Sequence, residues 1–129
     1  AYQPGTSDPF TSAADTLERR AGVCRDFAHL GISFCRALNI PARLVSCYAA
    51  GLVPPDFHAI FEAYLDGRWW LFDPTRQAKL DAIVRIGTGR DAAEVSFASF
   101  YGKAQMTGMS VWAQPVDATS DVRPVAAVA

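Results

Sequence analysis

The stretch from Cys24 to Leu38 constrains the fold more than any other part of this chain. Phe27, Leu30, Gly31, Phe34 and Leu38 recur at helical spacing. Ala28, Ile32 and Cys35 widen the apolar surface around the cylinder. A helix apolar on most of its sides needs cover on most of its sides, so it is expected to be central and buried. Gly31 costs helix stability, and its missing side chain is expected to let another element approach closely. Asn39-Ile40-Pro41 ends the run.

A buried helix needs partners, and the rest of the chain offers mainly strands. Residues 43–49, 58–65, 68–73 and 83–86 are rich in β-formers, and residues 110–114 form a weaker candidate. Asp66-Gly67 joins the second and third runs as a two-residue turn, a strong hairpin signal. Ahead of the long helix, Thr11 or Ser12 caps a short helix through Arg20, with Ser12-Ala13-Ala14-Asp15 resembling a capping box. The expected fold class is therefore α+β. One domain is expected over residues 1–114, and a frayed tail over 115–129.

Composition narrows the function. The chain has 129 residues, half of them apolar, and a net charge of −1. No cluster of Lys or Arg suggests a nucleic-acid partner. No apolar run approaches the roughly 20 residues of a membrane span, and no signal-peptide pattern is present. Cys24, Cys35 and Cys47 make an odd set, and Cys24 and Cys35 would stand about 16 Å apart on one helix, too far for a bridge. Free thiols point to a reducing, cytoplasmic setting. No C-x-x-C or H-x-x-x-H spacing occurs, so neither metal nor cofactor is expected. Oligomeric state is not legible.

Cys24 is the residue around which a chemistry can be built. It follows Gly22-Val23 and opens the long helix, where unpaired N–H groups and the helix dipole favour a thiolate. A cysteine nucleophile needs a base, and the chain has two histidines. His29 lies about 140° round the helix from Cys24 at 100° per residue and points away from it. His58 is left. The Asp66-Gly67 turn pairs Leu65 with Arg68 and Tyr64 with Trp69, and the same register sets Ile60 opposite Asp73. Side chains alternate along a strand, so His58 and Ile60 share a face, and Asp73 faces His58 on the diagonal. If the helix packs its N-terminus on that face, Cys24, His58 and Asp73 form a nucleophile, a base and an orienting carboxylate.

Other residues are assigned from position. Tyr2 is a candidate oxyanion donor, and Asp56, just before His58, is placed to position the histidine or meet a substrate. Trp69 and Trp70 must point to opposite hairpin faces, one into the core and one walling a groove. Asp26 is expected to complement the helix dipole, at some cost to a neighbouring thiolate. Gly87-Thr88-Gly89-Arg90-Asp91-Ala92 fits a nucleotide-binding pattern. It lacks the surrounding βαβ unit, so its glycines are read as a tight turn.

Four blocks together look familiar. Gly22-Val23-Cys24-Arg25-Asp26-Phe27-Ala28, Leu38-Asn39-Ile40-Pro41-Ala42-Arg43, Asp56-Phe57-His58-Ala59 and Trp69-Trp70-Leu71-Phe72-Asp73-Pro74-Thr75 resemble the bacterial transglutaminase-like superfamily and its cysteine proteases. The resemblance implies a papain-like fold, with a nucleophile helix on an antiparallel sheet. By motif position it implies the triad Cys24, His58 and Asp73. Members often carry Trp two residues after the histidine, where this chain has Ile60, and many are longer, with an amino-terminal β-rich domain. The implied chemistry is thiol acyl transfer on a peptide or protein amide through a thioester. Hydrolysis is favoured, because water needs no second binding site. Transfer to an amine, as by a protein-glutamine transglutaminase, and a non-catalytic binding or assembly module on the same fold are the alternatives.

Overall fold

A computed structural model describes residues 1–116. The expected tail falls almost wholly outside these residues. The element order is α1 (Ala13–Arg19), α2 (Cys24–Ala37), β1 (Ala42–Ala49), β2 (Phe57–Leu65), β3 (Arg68–Phe72) and β4 (Ile83–Gly89). The four strands form one antiparallel sheet in the order β3-β2-β1-β4. Among the described residues the architecture is α+β, with two helices and an antiparallel sheet.

Local chemistry explains the boundaries. Ser12 caps α1 reciprocally: its hydroxyl accepts from the Asp15 N–H, and the Asp15 carboxylate accepts from the Ser12 N–H. Asp66 and Gly67 both take positive φ, 49° and 78°, as the primed two-residue hairpin turn requires. Leu65 pairs with Arg68 and Tyr64 with Trp69, the register expected from the turn alone.

The body of α2 rests on one face of the sheet. Ala28 and Ile32 pack with Ala42, Leu44, Phe61 and Ala63. Gly31 permits this approach: a Cβ there would stand 2.4 Å from Cε1 of Phe61. The opposite face buries Val45, Cys47 and Ile60 against Leu71 and Ile83. The same side of β2 carries Glu62, fully buried, whose carboxylate pairs with Arg43 on β1 and with Arg85 on β4, the latter at 2.7 Å. A buried carboxylate needs such partners.

Three expectations require correction. The long helix is not buried all round: Phe34 and Leu38 are 52% and 71% exposed, because the sheet and α1 leave the flank that carries them uncovered. Residues 110–114 form no strand. They lie against the end of β1, near Tyr48, Ala49 and Leu52, where β1 already has both its neighbours. Gly87 and Gly89 sit inside β4 rather than in a turn, and a Cβ on Gly89 would come within 2.7 Å of Glu94 Cβ. The glycine there makes room for the segment that folds back over the strand.

Candidate active site

Cys24 is the first residue of α2, and the chain around it is held tightly. Asp26 is buried, and its carboxylate turns back to accept from the Val23 N–H at 2.8 Å and from the Ser7 hydroxyl at 2.8 Å. Arg25 pairs with it at 3.1 Å. Asp26 is thus a helix cap and a tether for the amino-terminal segment, and Arg25 offsets its charge beside the thiol. Gly22 is required by the same packing, since a Cβ on it would meet the Asp26 side chain at 2.9 Å. Neighbouring main-chain donors at this helix start are left for other work.

The hairpin brings His58 and Asp73 together. Imidazole Nε2 and Asp73 Oδ2 are 2.9 Å apart, with both side chains nearly inaccessible to solvent. The carboxylate is itself fixed. Oδ1 accepts from the Thr75 N–H at 2.9 Å and the Thr75 hydroxyl at 2.6 Å, and Oδ2 accepts from the Ala78 N–H at 2.9 Å. Thr75 and Ala78 are positioning groups that spacing arguments did not single out. The Asp73-Pro74-Thr75 run carries the signal, because Asp commonly accepts from the backbone two residues on.

The charges follow from this geometry. Burial alone would lower the His58 pKa, but the Asp73 carboxylate and the Cys24 sulfur outweigh it and raise it from 6.5 to about 9. Burial alone would raise the Asp73 pKa, but hydrogen bonds from His58, Thr75 and Ala78 hold it well below the ordinary carboxylate range. With Nε2 on Asp73, Nδ1 is the ring atom left for the Cys24 sulfur, which lies close enough to act on the imidazole. Phe61 and Ala63, which carry the body of α2, alternate with His58 and Ile60 along β2. Cys24 meets the imidazole near the start of β2.

Tyr2 and Asp56 lie in the same place. A cleft of about 580 Å³ is lined by Tyr2, Val23, Cys24, Asp56, His58 and Gln77, among others. Asp56 is exposed at its rim and accepts from the Phe57 N–H at 2.7 Å. On the other side of Cys24 and His58, a second, more apolar hollow of about 400 Å³ is bounded by Leu44, Phe57, Ile86, Val95 and Phe97. Trp69 and Trp70 line neither. They flank the hairpin turn, and β2 carries their partners Tyr64 and Ala63 five or six residues from His58, about 16–20 Å at 3.3 Å per residue. Both are partly exposed, and neither is core. Arg43 stacks on Trp69 at 4.1 Å, and Arg68 on Trp70 at 3.7 Å.

The remaining thiols and the other histidine are engaged elsewhere. Burial, then the nearby charges of Asp73 and Cys24, push the Cys47 thiol up to about 12. Burial also raises the Cys35 thiol. His29 Nε2 accepts from the Ala92 N–H at 3.1 Å, and burial lowers its pKa, so it is a neutral acceptor tying α2 to the segment after β4. Among the described residues no helix is long and apolar enough to cross a membrane.

Known proteins are similar to this chain. The crystal structure of a candidate cysteine protease from Cytophaga hutchinsonii superposes with a TM-score of 0.78 and 49% identity, covering 88% of this chain and 43% of that one. An uncharacterized protein of Mycobacterium leprae is 36% identical over 104 residues, 74% of this chain and 37% of its own length. An uncharacterized protein of Mycobacterium tuberculosis is 33% identical over 109 residues, 73% of this chain and 35% of its own. The chain thus spans little more than a third of the length of these mycobacterial relatives. The family model for the transglutaminase-like superfamily matches residues 1–74, which hold the thiol, the imidazole and the carboxylate. With more than half of its residues matched, this chain belongs to the transglutaminase-like superfamily.

Proposed function

We propose that this domain is a cysteine hydrolase of amide bonds in peptides or proteins, working through Cys24, His58 and Asp73. The observation that carries the reading is the 2.9 Å contact between His58 Nε2 and Asp73 Oδ2, with Cys24 beside the same ring. That contact fixes the imidazole and leaves Nδ1 for the thiol proton. The sulfur attacks the amide carbonyl, and the leaving amine takes the proton held on His58. Water, activated by the same imidazole, then resolves the thioester. The carboxylate holds the ring and offsets its positive charge.

Two measurements test the reading. Iodoacetamide at neutral pH, with the modified site mapped by mass, should alkylate Cys24 ahead of Cys35 and Cys47, and His58→Ala should abolish that preference. Turnover of a peptide library, with and without a primary amine, then identifies the acceptor. Products lengthened by the amine would assign a transferase. Equal sluggishness of all three thiols would assign a binding module without catalysis.

A further inference from the structure

We propose that the Tyr2 hydroxyl is the second oxyanion donor of this site, acting with the main-chain N–H of Cys24. The inference rests on the reading of Cys24 as the nucleophile. An acyl-transfer site needs donors converging on the oxygen that becomes negative. The fold supplies one in the Cys24 N–H, at a helix start where donors lack helical partners.

Tyr2 is seated by the main chain. It forms a parallel bridge with Gly22, in which the Gln3 N–H donates to the Gly22 carbonyl at 2.9 Å and the Gly22 N–H donates to the Ala1 carbonyl at 3.3 Å. Gly22 is two residues from Cys24, so this pin sets the phenol relative to the sulfur. Tyr2, Cys24 and His58 line one cleft, and the phenol lies within reach of both the sulfur and the Cys24 N–H. Tyr2 is 41% exposed, so a substrate can reach it. Burial, then the neighbouring Cys24 and Asp56, keep the phenol protonated above its ordinary range. It stays an O–H donor where the thiol acts.

The step balances without a further reactant. As sulfur bonds to the amide carbon, the C=O π pair moves to oxygen, which accepts hydrogen bonds from the Cys24 N–H and the Tyr2 O–H. No proton crosses. When the pair returns, the C–N bond breaks and the amine departs with the proton from His58.

Two reactions of Cys24 separate this role from a general one. Acylation by p-nitrophenyl acetate develops an oxyanion, whereas alkylation by iodoacetamide does not. In Tyr2→Phe, acylation should fall about 100-fold or more, while Cys24 alkylation stays within about twofold of wild type, since a hydrogen bond to the missing oxyanion has no part in it. Unchanged acylation overturns the proposal, as does a loss carried by Gln77→Leu instead. Acylation and alkylation falling together also overturns it, because the phenol would then serve the sulfur or the fold. Absence of selective, His58-dependent alkylation in the wild type instead removes the nucleophile reading, and this inference with it.

Discussion

Replacing Asp73 by Asn keeps the shape of the side chain and removes its charge. In the wild type the imidazole is raised from 6.5 to about 9 against the effect of burial. A rise of that size corresponds to roughly 3 kcal/mol, and allowing for screening at a cleft open to water leaves about 2 kcal/mol. Without the carboxylate only the Cys24 sulfur opposes burial, and His58 in Asp73→Asn should titrate well below 9. The sign of the stability change follows. A raised histidine contributes fully below 6.5 and loses its contribution as pH rises through about 9, whereas the depressed Asp73 contributes above the ordinary carboxylate range and fades in acid. Urea unfolding should therefore show the variant about 2 kcal/mol less stable than wild type near pH 6. The gap should narrow by pH 10. NMR titration of the imidazole checks the first statement, and paired unfolding curves at the two pH values check the second. A variant whose His58 still titrates near 9, or whose deficit is the same at both pH values, would refute the assignment of the charge to Asp73.

Three further outcomes are expected. Thr75→Val removes the hydroxyl bond to Asp73 Oδ1 but keeps the main-chain bonds, so peptide turnover should fall roughly tenfold, the worth of about one hydrogen bond. This would be much less than the loss in Asp73→Asn. Gly31→Ala should destabilise the domain by about 1–2 kcal/mol in urea, because overpacking against Phe61 outweighs the roughly 1 kcal/mol of helix propensity gained. Phe61 is stacked on Phe72 at 5.2 Å and has little room to yield. Cys47, pushed up to about 12, should resist a disulfide reagent at pH 8 in the native state and react only in denaturant, as thiol counting by absorbance will show.

The sequence was most legible where a short-range rule acts alone. Asp66-Gly67 states its turn through the φ values only such residues accept readily, and the turn then dictates every pairing up to Phe61 opposite Phe72. The continuation of that register places Asp73 beside His58, which is why a contact across fifteen residues could be reasoned from spacing. Gly31 announced the close approach of an element without naming Phe61. Legibility failed where the answer depends on what covers a surface. Phe34 and Leu38 read as interior residues because periodicity reports a face and says nothing of its partner. Nothing in the sequence singled out Glu62 as a buried carboxylate, because the two arginines that donate to it stand on neighbouring strands, 19 and 23 positions away. Trp69 and Trp70 were assigned by size and alternation. Their distance from His58 along β2 was already implicit in the register.

The hairpin turn has a consequence for anyone altering this domain. It is a solvent-exposed corner well removed from the sulfur, the sort of place where a tag or an epitope is routinely spliced. Yet the count of residues between Gly67 and Asp73 decides which way the carboxylate looks. An odd insertion within β3 would leave a well-formed ribbon and a folded protein with the carboxylate facing away from the ring. Cargo grafted strictly between Asp66 and Gly67, with Leu65 still opposite Arg68, would spare it.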